Sequence, residues 1–191
     1  MPGMYADLAT VLADYQPKDD VEKIDHERAL TLATSADPWS RDTPRHVTAS
    51  ALVVDPVTRR VLLRWHARQQ AWLQIGGHAD PGEARPLAIA LREGLEETGL
   101  TDLVPWPDTG LRHVVVVPVA AGKGEPAHEH VDVRFVLATA TPDDVRPEKP
   151  DAKLEWLSVP EAIARTSEPN LREFITRVGA LLTLTEGEAP A

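Results

Sequence analysis

The apolar residues of this chain change period several times, and each change marks an element. Leu8, Val11, Leu12 and Tyr15 recur at helical spacing and predict a helix within 4–15. A second helix follows Gln16-Pro17-Lys18, where Asp19 and Glu22 have capping-box spacing and apolar residues continue to about Ala33. The stretch 35–46 reads as loop, so the first 45 residues form a helical arm. From His46 the pattern becomes β-rich. Two such runs flank Asp55-Pro56-Val57-Thr58, a hairpin signal, and 71–75 reads as a short strand ending at Gly76-Gly77. Pro86 and Gly99 bracket a helix whose buried face is expected to carry Leu87, Leu91, Leu95 and Thr98.

Further strands are expected over 111–119, over 131–140, where Val131, Val133, Phe135 and Leu137 alternate, and over 154–159. Ser158 and Glu161 predict a capping box for a short helix. Leu171, Phe174, Ile175, Val178 and Leu182 predict a final amphipathic helix, and 185–191 reads as a frayed tail. Strands mixed with an early and a late helix give an α/β (α+β) class.

Composition narrows the function. Asp and Glu number 30 against 20 Lys and Arg, for a formal net charge of -10. Such a chain repels phosphate backbones and anionic lipid at long range, which argues against nucleic-acid and membrane partners. A metal ion can still invert the local field for a small anion. There is no cysteine, so disulfides, thiolate metal sites and cysteine nucleophiles are excluded. No apolar run approaches a membrane span and no leader-like pattern opens the chain, so a cytoplasmic protein is expected.

The most informative feature lies at the end of the 86–98 helix. Glu93, Glu96 and Glu97 stand at i, i+3 and i+4 and share an arc of about 100°. Like charges at this spacing cost a few tenths of a kcal/mol per pair, by an estimate of roughly 0.2–0.5 kcal/mol. Negative charge at a helix C-terminus costs roughly 0.3–1 kcal/mol more per residue. Local stability therefore does not explain the cluster. A divalent cation does, because clustered carboxylate oxygens suit Mg²⁺ or Mn²⁺. An acidic helix face is ordinarily just solvated, but this helix follows a strand and a glycine pair that permits close backbone approach to a ligand.

The segment "GGHADPGEARPLAIALREGLEETGL" resembles the signature of the Nudix hydrolases. Gly77, Glu83, Arg92, Glu93, Glu96, Glu97, Gly99 and Leu100 match it in order. There are two departures. Eight residues separate Glu83 from Arg92 where seven are usual, and Gly94 replaces a bulky aliphatic residue. The glycine weakens the helix by about 1 kcal/mol relative to alanine and is read as a packing substitution.

The resemblance implies an α/β/α sandwich around a mixed sheet, a catalytic domain over 46–184, and cleavage of a diphosphate linked to another group, usually a nucleoside. It implies Glu96 and Glu97 as the main metal ligands, with the Gly77 carbonyl beside them. Glu93 would be a further ligand or the base that deprotonates water. Arg92 would hold the glutamates through charged hydrogen bonds, and Glu83 would belong to the same network. The cofactor implied is Mg²⁺ or Mn²⁺, and the partner a small nucleotide or nucleotide derivative.

Other candidates lie outside the signature. Arg59, Arg60, Arg64, Arg68 and Lys123 are basic groups for a phosphate, each also readable as an ordinary surface charge. Glu125, Glu129 and Asp132 are candidates for a late acidic ligand. His128 and His130 point to one side of a strand and are candidates to touch phosphate or metal; His78 follows the glycine pair directly. Trp65 and Trp72 are candidates to stack on a base, whereas Trp156 reads as core. The arm is a candidate to cover the site or to pair two subunits as a homodimer. Two competing readings remain. An isopentenyl diphosphate isomerase needs a cysteine that is missing here. A non-catalytic nucleotide-binding module commonly loses motif glutamates that are all present.

Overall fold

A computed structural model describes residues 5–122 and 126–184. The readings on Lys123, Glu125 and the 185–191 tail lie outside the described residues. The elements are α1 (Leu8–Ala13), α2 (Asp20–Ala33), β1 (Arg45–Asp55), β2 (Arg60–His66), β3 (Ala71–Leu73), β4 (Ile75–His78), α3 (Pro86–Thr98), β5 (Val104–Pro105), β6 (His113–Val119), β7 (His128–Ala138), β8 (Leu154–Ser158), α4 (Val159–Arg165) and α5 (Pro169–Leu184). Strand pairing runs β3-β2-β1-β7-β5, with β4 also on β1, β6 on β7 and β8 on β2. This is a mixed sheet with helices, the α+β class expected. No helix among the described residues is long and apolar enough to cross a membrane.

The chain divides into two compact units. The first comprises Met1–Ser50, Gly76–Arg92 and Asp108–Phe135. Its helices start as the sequence predicts. The Asp7 carboxylate accepts from the Thr10 amide at 2.9 Å, and that of Asp19 from the Glu22 amide at 2.8 Å. Glu22, however, does not complete a capping box with Asp19. It is buried, accepts from the Lys18 amide at 2.7 Å, the Tyr15 hydroxyl and the Val114 amide at 3.2 Å, and so ties α2 to β6. Asp25 adds a bond from the Val116 amide at 2.9 Å. Leu8 and Leu12 are buried and Val11 is half-buried, while Tyr15, placed in this helix by its spacing, lies just past the helix end and is buried there.

The second unit comprises Ala51–Ile75, Glu93–Pro107 and Val136–Ala191. The hairpin forms where expected, with Asp55 opposite Arg60. The Asp55 carboxylate accepts from the Val57 amide at 3.1 Å and holds the turn, which Arg59 leaves with φ of 56°. The core packs Leu52, Val54, Val61, Leu63 and Val136 against Leu171, Phe174, Ile175, Val178 and Leu182 of α5. All five predicted residues of the last helix are buried, each contributing about 1.5–3 kcal/mol if fully removed from water. The Ser158 amide donates to the Glu161 carboxylate at 2.9 Å and starts α4 as predicted.

Three readings need correction. The strand expected over 71–75 is two strands, β3 and β4, and the glycine pair lies inside β4 instead of after it. Gly76 has φ of 142°, and a Cβ there would stand 2.3 Å from the Ser50 Cβ, so the close approach to β1 demands glycine. Trp156 is not in the core cluster; it is half-buried and donates from Nε1 to the Pro142 carbonyl at 3.0 Å. The third correction concerns α3. Its buried positions are Pro86, Leu87, Ile89, Ala90, Gly94, Glu97 and Thr98, whereas Leu91 is half-buried and Leu95 is 47% exposed. The helix is rotated so that a glutamate takes a place expected for a leucine.

Candidate functional site

The end of α3 is built to terminate where the signature predicts. Gly99 adopts φ of 69°, and its amide donates to the Leu95 carbonyl at 2.8 Å. The Thr98 carbonyl accepts from the Arg146 amide at 2.7 Å. Gly94 is a packing substitution, as expected: a Cβ there would meet the Leu103 Cδ1 at 2.7 Å. In the last turns Glu93 is half-buried, Glu96 exposed and Glu97 buried at 9% exposure. Burying a carboxylate demands a partner, and Arg64 of β2 supplies it, with Nη1 at 3.2 Å from Glu97 Oε1. Arg64 Nη2 lies 3.7 Å from Glu148 Oε2. Arg64 is therefore no ordinary surface charge. Its Nε is buried without a hydrogen-bond partner among the described residues.

One residue earlier, Arg92 clasps the loop after β4. Its Nε donates to Glu83 Oε1 at 3.1 Å, and its Nη2 to Glu83 Oε2 at 3.0 Å and to the His78 carbonyl at 2.8 Å. This forked contact is the geometry at which arginine outperforms lysine. Glu83 also accepts from the Asp80 amide at 2.8 Å. The extra residue between Glu83 and Arg92 thus leaves Glu83 within reach of its partner. Burial alone would raise the Glu83 carboxyl, but hydrogen bonds from Arg92 and the Asp80 amide, with the Arg92 charge, outweigh it and hold the group below the usual glutamate value.

The first unit also assembles four histidines. His78 ends β4, His128 and His130 begin β7, and His46 comes from β1. The Nε2 atoms of His78 and His46 are 3.1 Å apart, those of His78 and His130 3.2 Å, and those of His128 and His130 3.1 Å. The rings of His46 and His128 stack with centroids 5.3 Å apart. Burial, reinforced by His130, Arg41, His46 and His128, pushes His78 down to about 3. Burial, with His46 next, pushes His130 down to about 4, against an opposing pull from Asp132. His78 and His130 are therefore neutral at physiological pH.

The remaining candidates scatter. Glu129 is paired with Arg45, whose Nε donates to it at 2.7 Å. Asp132 is buried; it accepts from Thr48 Oγ1 at 3.0 Å, Ser50 Oγ at 2.7 Å and Arg134 Nε at 2.7 Å, a structural network inside the sheet. Arg59 and Arg68 are exposed and Arg60 is half-buried. Trp65 and Trp72 meet edge to face at 5.7 Å, both half-buried. A cleft of about 480 Å³ between α1 and the 108–112 loop, lined by Tyr5, Val11, Tyr15, Leu87 and Arg112, contains none of the predicted site residues. Sequence reasoning missed His46 and the Arg64–Glu97 pair. A lone histidine in an apolar strand and an arginine 33 positions from its partner carry no local signal.

The NUDIX domain family model matches residues 44–178. A curated relative, the octanoyltransferase of Myxococcus xanthus, is 34% identical over 123 residues, covering 63% of this chain but only 32% of that protein. The chain thus spans about a third of the length of that relative. Among solved structures, a C. elegans Ap4A hydrolase in a binary complex superposes with TM-score 0.58 at 20% identity, covering 72% of this chain and 97% of that one. The E. coli dihydroneopterin triphosphate pyrophosphohydrolase gives 0.56 at 20% identity, with 73% and 97% covered. A MutT protein from Methanosarcina mazei Go1 gives 0.57 at 20% identity, with 78% and 100% covered. At these identities the superpositions establish the fold.

Proposed function

The chain belongs to the Nudix family, and from that premise we propose that it is a metal-dependent hydrolase. It would cleave a diphosphate bond in a nucleoside diphosphate linked to another group, by attack of water at phosphorus. The observation that carries this reading is the carboxylate set on the last turns of α3, in which Glu97 is buried and held by Arg64 at 3.2 Å. An all-oxygen donor set of Glu93, Glu96 and Glu97 fits Mg²⁺ or Mn²⁺, and the signature's pattern adds the Gly77 carbonyl. When bound, such a cation neutralises diphosphate charge and lowers the pKa of a water molecule.

This chain's residues then divide the work. Glu96 and Glu97 would present oxygens to the cation. Glu93 would be a further ligand or the base that takes the proton of the attacking water. Arg64 fixes the carboxylate of Glu97, and a substrate phosphate close to that arginine would compete with the pair. Arg92 fixes Glu83 and the His78 carbonyl, so the loop after β4 keeps one conformation. The catalytic domain spans 46–184 in this reading, and the enzyme works in the cytoplasm on a small nucleotide derivative, not on nucleic acid or membrane. A nucleoside triphosphate is the first substrate class to test, with ADP-ribose or another nucleotide sugar next. The names of the Ap4A hydrolase and of the triphosphate pyrophosphohydrolase, both similar in fold, support cleavage of a phosphoanhydride.

The test is a phosphate and pyrophosphate release screen with Mg²⁺ or Mn²⁺ against nucleoside triphosphates, dinucleoside polyphosphates and nucleotide sugars. Glu97→Gln serves as the blank. Metal-dependent release lost in the variant is the expected result. Ligand binding without release of either product from any substrate would replace the hydrolase by a nucleotide-binding module.

A further inference from the structure

We propose that His46, His78 and His130 form a site for one divalent transition-metal ion of the zinc class, with His128 packed beside it. The side chains come from β1, β4 and β7, rigid elements whose backbones are fixed by sheet pairing. One nitrogen from each of His46, His78 and His130 lies within 4.8 Å of the other two. The close Nε2 pairs are 3.1–3.2 Å apart. Nitrogens at about 2.05 Å from a tetrahedral zinc ion stand about 3.3 Å from one another, so the two spacings from His78 to His46 and His130 match edges of such a site.

Hydrogen bonding between the rings does not account for this arrangement. An uncharged imidazole nitrogen carries one hydrogen or one lone pair, and so takes part in one good hydrogen bond. Yet the Nε2 of His78 meets two others, and so does the Nε2 of His130. The outer rings sharpen the conflict. His46 Nδ1 faces the Thr43 carbonyl at 3.2 Å, and His128 Nδ1 faces the Pro126 carbonyl at 2.9 Å. A carbonyl only accepts, so both Nδ1 atoms carry the hydrogen, and in the uncharged form of each ring the Nε2 atom carries a lone pair. His78 and His130 must then donate to His46 and His128, which sets two N–H groups against each other at 3.2 Å. A cation between His46, His78 and His130 removes the conflict between His78 and His130, because both Nε2 atoms can then present lone pairs. Backbone carbonyls on Nδ1 are also the partners that orient metal-bound histidines.

The donor chemistry selects the ion. Imidazole suits Zn²⁺ and its neighbours, whereas Mg²⁺ requires oxygen. The site uses nitrogen donors, unlike the carboxylate set on α3, and stands without reference to hydrolysis.

The experiment uses metal-stripped, untagged full-length protein, titrated with Co²⁺ as a spectroscopic probe and then with Zn²⁺ as competitor. One equivalent of Co²⁺ with an intense tetrahedral visible spectrum, displaced by Zn²⁺, is expected. His78→Gln and His130→Asn should each weaken Zn²⁺ binding about 100-fold, while Glu97→Gln leaves it unchanged. Where a variant fails to keep the wild-type circular dichroism, Zn²⁺-induced shifts of the histidine ring nitrogens in the wild-type NMR spectrum decide. Absence of those shifts, an octahedral cobalt spectrum, or binding lost in Glu97→Gln and kept in the histidine variants would overturn the proposal. Phosphate release with Mg²⁺ is measured on the same samples, so failure of the hydrolase reading is seen separately.

Discussion

The end of α3 and the histidine group on the strands both gather side chains of the kinds that can hold a metal ion, assembled in opposite ways. The glutamates lie on one helix within five consecutive residues. They need no tertiary structure to converge, and they are graded from exposed Glu96 to buried Glu97. The histidines come from three strands, with 32 residues between the positions of His46 and His78 and 52 between those of His78 and His130. They converge only once the sheet has formed. Helical periodicity can therefore write a hard, oxygen-rich site into a short motif. A nitrogen-rich site built across strands exists only as a product of folding, and its geometry is correspondingly stiff.

The contrast can be broken in order of expected effect. Glu97→Gln should lower Mg²⁺-dependent turnover by about 100-fold or more, because a ligand matters at least as much as the outer groups that orient it. It leaves Arg64 with Glu148, so its stability cost should stay below the about 3–5 kcal/mol of an uncompensated buried charge. Turnover and urea denaturation of the same sample check both statements. His46→Gln should act on the other region alone. Excess Zn²⁺ at 100 times its dissociation constant should stabilise the wild type by about 2.7 kcal/mol and the variant scarcely at all, read from thermal melts. Equal stabilisation of both proteins would erase the distinction between the two regions.

Arg92→Lys should lower turnover about 10- to 100-fold with the fold intact, since an ammonium cannot reproduce the fork to Glu83. A milder effect concerns pH. The folded Glu83 carboxyl is held below its unfolded value, so its contribution to stability is complete above the unfolded pKa of about 4.3. That contribution is lost as pH falls through the lower folded value. Glu83→Gln should flatten the stability curve below about pH 4 and leave its slope near neutrality unchanged. Gly94→Ala should have the smallest effect. It gains about 1 kcal/mol of helix propensity, and the approach to the flexible Leu103 Cδ1 offsets much of it. A melting temperature within a few degrees of wild type is the expected result.

Much of the fold was legible in the sequence because its signals are local. The Asp55 turn, the Ser158–Glu161 box, the five apolar residues of α5 and the Pro86–Gly99 brackets all depend on neighbours within a few positions. The signature glutamates share that property. What was not legible depends on distant partners. The face of α3 was misjudged because leucine spacing was allowed to choose the buried side, while Arg64 pairs with Glu97 and makes a buried glutamate tolerable. Gly76 looked like the end of a strand because its contact with Ser50 is tertiary. His46 was missed for the same reason, and Asp132 was taken for a loop ligand although Thr48, Ser50 and Arg134 engage it inside the sheet.

The tie between α2 and β6 has a consequence for how this protein meets copies of itself. β6 pairs with β7 on one side, and its other margin carries the amides of Val114 and Val116. A bare strand margin is a template for another chain to zip onto. Here Glu22 and Asp25 occupy those two donors, and the next outward position is Pro118, which has none to offer. The acidic helix thus acts as a plug against sheet-to-sheet growth. Removing the first 33 residues would uncover two adjacent amide donors on a strand of consecutive valines, and filament formation would be the symptom to look for.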